Sequence, residues 1–311
     1  MLGRPLADFY ELRGFKVLEF QGTYWTPFRP GSPFLMSFPE NATVHAAGGE
    51  VAEFLARNGS WAARYPTAGE HGTPSGYYVF RQKCYGLEQL EASAKRSVRK
   101  GLERCRIVRL SPSDLRVAAL EINQQTLTRQ ERNEPEFSNP AQWGRFLDAV
   151  EKVPAIQLTG ALVDGKLVSY SVDCRDGAWT YGLHQFSRNE CRKDFVNHAL
   201  DFHLAQEAAE DPEVVGMTNG PVPVRPAEGL HAYKTRMGYE IEPQRVAIRF
   251  RDPLQTLLAS DPAVALCGWA SERWNHPQLS YLAQVLATAR GEPCPLSEAR
   301  RFGGSRAEVI K

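Results

Sequence analysis

The chain has no paired C-x-x-C motif: its six cysteines, Cys84, Cys105, Cys174, Cys191, Cys267 and Cys294, are scattered through 311 residues. That spacing excludes a zinc ribbon and a disulfide framework and predicts reduced thiols. No apolar run approaches the roughly eighteen residues of a membrane span. The opening Met1-Leu-Gly-Arg-Pro-Leu-Ala-Asp8 carries no apolar signal region. Both absences predict a cytoplasmic protein with no membrane span. Net charge is also scarce, 37 basic against 36 acidic residues leaving +1. Bulk polyanion binding is thereby excluded, and any charged partner must be met by a local patch. His198 and His203 stand five apart on a helix, which is not a ligand spacing, so no metal site is expected. No Ser-His-Asp or Cys-His set is spaced for covalent catalysis, and Cys191, though beside Arg192 and Lys193, has no base to activate it.

What is present is a globular composition, 42% hydrophobic, in a chain long enough for two domains or one large domain with an extension. Residues 1 to 80 read as short apolar runs broken by Pro and Gly, an α+β segment ending in the strand Gly76–Arg81. A long helix is expected from Leu87 to Arg104, with Leu87, Leu90, Ala94, Val98 and Leu102 on one stripe. Its other face is basic: from Lys95 to Arg109 the bases are Lys95, Arg96, Arg99, Lys100, Arg104, Arg106 and Arg109, with Glu103 the only acid. Such a face either binds phosphates or is simply solvated.

Arg106–Leu110 reads as a strand, and after it a new unit begins at Ser111. Ser111-Pro112-Ser113-Asp114 opens a helix with cap residues, and a further helix starts at Pro140. The strongest β pattern follows: Ile156–Val163, Lys166–Asp173 and Ala178–Phe186 form an antiparallel meander with tight turns at Asp164-Gly165 and Asp176-Gly177. A polar loop, Ser187–Asp194, leads to a helix from Phe195 and a strand at Val214–Thr218. Residues 219–226 cross irregularly, since three prolines exclude a helix. Then Gly229-Leu-His-Ala-Tyr-Lys-Thr-Arg-Met-Gly238 reads as a short helix stopped by glycine, followed by a strand at Arg245–Phe250. Leu230, Tyr233 and Met237 share its apolar face, and Lys234 and Arg236 lie off it. Helical patterns at Leu254–Ala259 and Ser271–Ala289 precede a tail from Gly291 expected to be poorly ordered.

This order of elements resembles the GNAT superfamily of N-acyltransferases. Gly229-Leu230, Tyr233-Lys234 and Gly238 look like the "GL..FK..FG" signature of the Fem-type aminoacyltransferases and their acyltransferase relatives, and Lys95-Arg-Ser-Val-Arg-Lys-Gly101 looks like their "R..R.G" helix. The likeness spans residues 80 to 250. It implies an α+β fold with a mixed, mostly antiparallel sheet flanked by helices, arranged as two GNAT-like units with a helical C-terminal extension. The expected divisions are 1–108, a reduced first unit; 109–252, the acyltransferase unit; and 253–311, the extension. Most GNAT enzymes carry a thiolate-protonating tyrosine four residues before this glycine. Here that place belongs to Lys234, with Tyr233 five before, as in the Fem-type pattern. GNAT enzymes also hold the pyrophosphate of coenzyme A on a glycine-bearing loop at a helix start. The equivalent Arg188–Asp194 has no glycine, leaving Gln185, Ser187, Arg188, Arg192 and Lys193 as the donor-binding candidates.

The resemblance implies an amide-forming enzyme working by direct attack of an amine on a bound donor. Backbone N–H groups around His184 to Phe186 would polarise the carbonyl, and Lys234 would neutralise developing negative charge. His184 or Asn219 would relay the acceptor's proton, with Tyr233 alongside. Each has a plainer alternative: an interior histidine at 184, a turn at Asn219-Gly220, an exposed lysine at 234. An acyl-CoA donor with a small-molecule amine or amino acid as acceptor is the first expectation. A charged-tRNA donor read by the helix Lys95–Arg104 is nearly even with it. A non-catalytic binding module on the same scaffold is the third.

Overall fold

The computed structural model describes residues 1–223, 228–274 and 277–292. The last part of the expected crossing, 224–226, and the tail beyond residue 292 lie outside them. The first unit comprises α1 (Arg4–Leu12), β1 (Leu18–Phe20), β2 (Thr23–Pro27), β3 (Phe34–Phe38), α2 (Gly48–Arg57), β4 (Ala62–Thr67) and β5 (Thr73–Phe80). A 3-10 turn at Leu87–Gln89 and α3 (Ala92–Arg104) lead into β6 (Arg106–Arg109), α4 (Pro112–Arg129), α5 (Pro135–Ser138) and α6 (Pro140–Lys152). The meander is β7 (Ile156–Val163), β8 (Lys166–Asp176) and β9 (Trp179–Ser187). A 3-10 turn at Glu190–Asp194 precedes α7 (Val196–Glu210), β10 (Gly216–Pro221), α8 (Glu228–Arg236) and β11 (Glu240–Phe250). Three helices close the described chain, α9 (Leu254–Leu258), α10 (Asp261–Trp274) and α11 (Pro277–Arg290).

Local chemistry accounts for many of these boundaries. The Asp114 carboxylate accepts the Ser111 N–H at 2.7 Å, and the Asn139 side chain accepts the N–H groups of Ala141 and Gln142, so both helices start with paired donors. Asp164 and Gly165 both take positive φ, the geometry of a two-residue hairpin turn. The long helix expected from Leu87 is interrupted, because the Gln89 side chain accepts the Gly86 N–H at 2.8 Å and closes a separate turn, and Leu90 is extended. The helix α1 and the division of the C-terminal region into three helices depart from the expected pattern.

All eleven strands form one sheet, in the order β1-β2-β3-β4-β11-β5-β10-β9-β8-β7-β6. Two pairs are parallel, β3 with β4 across α2 and β9 with β10 across α7; the other neighbours are antiparallel. The same pattern therefore occurs twice, as expected of two GNAT-like units. The units are interleaved: β11 lies between β4 and β5, and β5 lies between β11 and β10. The expected division at 108/109 falls inside β6, whose partner is β7 of the second unit.

Two layers of helices cover this sheet. On one face, Phe9 of α1, Leu115 and Ile122 of α4 and Trp143 and Phe146 of α6 pack on Leu158, Tyr170, Val172 and Phe186. On the other, Val98 of α3 and Leu200 and Leu204 of α7 pack with Phe80, Met217 and Met237. A Cβ at Gly101 would lie 2.5 Å from the Phe195 carbonyl oxygen, so α3 approaches the start of α7 through glycine. The C-terminal helices cover β4 and β11, with Val285 and Leu286 against Ile248 and Phe250.

Because β10 and β11 both pair with β5, a fragment of residues 109–252 leaves each with an open edge. It should unfold without a cooperative transition in urea, followed by near-ultraviolet circular dichroism, whereas the whole chain unfolds cooperatively. A sharp transition in the fragment would contradict the interleaving.

Candidate active site

The parallel pair β9–β10 is short. Trp179, Thr180 and Tyr181 pair with Gly216, Met217 and Thr218, after which the strands part and β9 from Gly182 onward keeps only β8 as neighbour. A bulge helps this divergence, since Val172 faces His184 and Asp173 faces Gly182. Asn219 fills the head of the opening, its side chain about a van der Waals contact from where a Cβ on Gly182 would be. Its amide also reaches the Tyr239 hydroxyl at 3.5 Å.

The helix α8, whose Tyr233 lines a groove together with Gln185 of β9, ends in a glycine turn. Gly238 has φ of 87°, its N–H bonds the Thr235 carbonyl, and the Tyr239 N–H bonds the Lys234 carbonyl at 3.0 Å. That turn folds β11 back so that the Tyr239 ring lies beneath Lys234, with Nζ 4.8 Å from the ring centroid. Lys234 is only 5% exposed. The helical pattern set it off the apolar face; in the structure the covered face is His231, Tyr233, Lys234 and Met237, while Leu230 is 42% exposed. No carboxylate lies within ion-pairing distance of Lys234 among the described residues. Burial pushes its ammonium below the ordinary lysine value, offset in part by Asp201 and Asp173.

Two carboxylates that the sequence reading did not single out complete the arrangement. Asp201 of α7, 4% exposed, accepts from Gln185 Nε2 at 2.9 Å and from the Tyr233 hydroxyl. Tyr233 is held well above the ordinary phenol value by burial and by Asp201. Asp173 of β8, 3% exposed, has no hydrogen-bond partner on either oxygen. The Ser171 hydroxyl, 3.4 Å from the His184 carbonyl oxygen, is the group that most opposes the effect of burial on Asp173. Burial raises the Asp173 carboxyl to about 7, and Asp201 adds to the rise. The sequence signal was the alternation Ser169-x-Ser171-x-Asp173, which reads as a solvent-facing edge until α7 is placed over it.

The remaining expected residues divide by position. Gln185 and Tyr233 line an outer groove of about 300 Å³ with Ser187, Phe195 and His198, and Gln185 also lines a deeper cavity with Asp173, Asp201 and Asn219. The His184 ring points to the other face of the sheet, 4.7 Å from the Phe137 ring, so it is not brought to Lys234. Burial there lowers its proton affinity well below the ordinary value. Ser187 is occupied internally, its N–H on Thr126 and its hydroxyl accepting from Asn197 and Arg129. Arg188 bonds the Leu167 carbonyl and pairs with Glu121 at 2.9 Å. Lys193 is exposed, and the side chain of Arg192 lies outside the described residues. No cluster of three metal-ligating side chains occurs among the described residues, and none of their helices is long and apolar enough to cross a membrane.

Two βαβ crossovers in one continuous sheet, β3-α2-β4 and β9-α7-β10, with a short parallel pair that splays at the second, make up a fold shared with solved structures. The chain is similar to the crystal structure of FemX, with a TM-score of 0.55 and 12% identity over 82% of this chain and 93% of that one. It is also similar to a conserved protein of unknown function from Bacteroides thetaiotaomicron, with a TM-score of 0.51 and 10% identity over 78% and 88% of the two chains. No family model and no curated protein matches the sequence. At these identities the likeness is one of fold.

The buried carboxyl has a consequence for stability. With a folded value of about 7 above the ordinary aspartate value, Asp173 binds its proton more tightly folded than unfolded. Its contribution is thus most favourable in acid and is lost as pH rises through about 7. In Asp173→Asn that loss disappears. Relative to the native chain, the variant should gain about 2 to 3 kcal/mol between pH 5 and pH 8 in urea unfolding. A pH-independent difference would mean that Asp173 is solvated or paired.

Proposed function

We propose that this chain transfers an aminoacyl group from charged tRNA to an amine, forming a peptide bond. The observation that carries this reading is Lys234: a buried lysine without an ion partner among the described residues, its ammonium over the Tyr239 ring, whose hydroxyl the Asn219 amide of β10 reaches. In direct attack, the amine nitrogen bonds to the ester carbonyl carbon, the carbon–oxygen bond to the ribose breaks, and the proton lost by the amine ends on the ribose hydroxyl. Negative charge grows on the carbonyl oxygen in between. A lysine ammonium already held in a low-dielectric site stabilises that charge without reorganising water.

Two features favour tRNA as donor. At the start of α7 two of the candidate donor contacts are engaged within the protein: Arg188 is paired with Glu121, and Ser187 uses its N–H on Thr126 and accepts from Asn197 at its hydroxyl. The basic helix, by contrast, reaches the groove. Lys100 Nζ lies 5.2 Å from the ring of Phe195, which lines it, and Arg96, Lys100 and Arg104 are exposed. Phosphates on that face would add affinity that weakens with salt. A coenzyme A thioester is the second reading, favoured by the groove itself, whose roughly 300 Å³ is at the small end of ligand sites.

Formation of the amide should be abolished by ribonuclease and should fall about 10²- to 10³-fold in kcat for Lys234→Met. The triple variant Arg96→Ala, Lys100→Ala, Arg104→Ala should raise KM for the donor and flatten its salt dependence. Activity with acyl-CoA that ribonuclease leaves unchanged would end the tRNA reading. Full activity in Lys234→Met would remove the lysine from the reaction altogether.

A further inference from the structure

The geometry points to the cavity beneath the splay, between Asp173 and Asp201, as a recognition site for the α-ammonium group of the transferred aminoacyl unit. This rests on the aminoacyl-transfer reading above and adds a substrate-selecting pair to it. The first observation is the Asp173 carboxylate, buried to 3% exposure, without a partner on either oxygen, and lining that cavity. A buried carboxylate left in this state costs stability. The arrangement is explained if the missing partner is a ligand.

The second observation is the balance of charge. Arg109 and Glu207, which both act on Asp173, pair with each other at 2.9 Å and cancel. Lys234 offsets Asp201, whose two oxygens also accept from Gln185 and Tyr233. An ionised Asp173 then leaves one uncompensated negative charge among these groups. One additional cation with several N–H donors restores neutrality. No third metal-ligating side chain joins the pair among the described residues, so an organic ammonium fits better than a metal ion.

Size and position agree with this occupant. The cavity holds about 60 Å³, against roughly 10 to 15 Å³ for a single water, so it accepts an ammonium and its carbon but not a large side chain. Its wall includes His184 and Gln185, at the point where β9 has left β10, and Gln185 also lines the outer groove. An α-ammonium is two bonds from the carbonyl carbon. A donor anchored there presents its carbonyl at the splay, where Gly182 and Asn219 line the cavity. An acetyl group has nothing to place in the cavity, so the site would discriminate aminoacyl from simple acyl donors by leaving Asp173 unpaired in the wrong complex.

The test uses the full chain and two small probes that differ by one amino group, L-alaninamide and propionamide, with binding followed by NMR titration. L-alaninamide should bind at least about tenfold more tightly than propionamide, and Asp173→Asn should bring the two to within about twofold. Asp201→Asn serves as a second variant, and thermal unfolding confirms that each variant is folded. Equal binding of both probes, binding of neither, or discrimination that survives in folded Asp173→Asn would overturn the assignment. The probes contain no tRNA and undergo no transfer, so the outcome is separate from that of the proposed reaction. If transfer from charged tRNA occurs but N-acetylated aminoacyl-tRNA serves equally well, the function stands and the ammonium site falls.

Discussion

The constraint on which the site depends is the burial of one ammonium group. Lys234 loses most of its hydration on the short helix α8, and what replaces water is the Tyr239 ring below it and the field of Asp201 and Asp173. Neither compensation is a direct ion pair, so the ammonium keeps donors free for a substrate oxygen. The glycine turn at 238 makes this possible, because it reverses the chain within two residues and brings Tyr239 under the lysine. A side chain at 238 would be strained by its φ of 87° and would meet Gln82 at 2.9 Å.

The sheet supplies the rigidity that such a site requires. Because β5 and β11 are exchanged between the two halves, neither half presents a complete sheet without the other. The first unit also reaches the second directly: Glu40 accepts from the Thr218 hydroxyl and the Gly220 N–H, and Asn41 accepts from Tyr181 at 3.1 Å. These bonds fix β9 and β10 just below the point where they part. The opening is therefore a property of the whole chain, set by a bulge on one side and by the first unit on the other.

Much of this was legible from local pattern. The meander was visible because hydrophobic alternation and the Asp164-Gly165 turn specify the same register. Counting back from Gly238 singled out Lys234 as a candidate site residue. Its burial was not legible, since the apolar pattern centres the covered face on Leu230, Tyr233 and Met237, whereas the buried face is turned toward Lys234 and leaves Leu230 exposed. Asp201 was hidden for the opposite reason: an acid between Leu200 and Phe202 on a helix looks like an ordinary solvent-facing position until β9 and α8 are placed around it. The exchange of β5 with β11 joins residues more than 160 positions apart, and no window along the sequence carries that information. The same holds for the displacement of His184, whose side of the sheet is decided by the bulge between Val172 and Asp173.

The central claim is that a buried, substrate-facing Lys234 ammonium marks the reaction site. Its most direct test is carbon-13 NMR of lysine-labelled protein during titration with a non-hydrolysable 3′-aminoacylamino-adenosine. The account predicts one lysine resonance that titrates below the ordinary range, is absent in Lys234→Met, and shifts on saturation with the analogue. A Lys234 resonance that titrates like a surface lysine and ignores the analogue would contradict it.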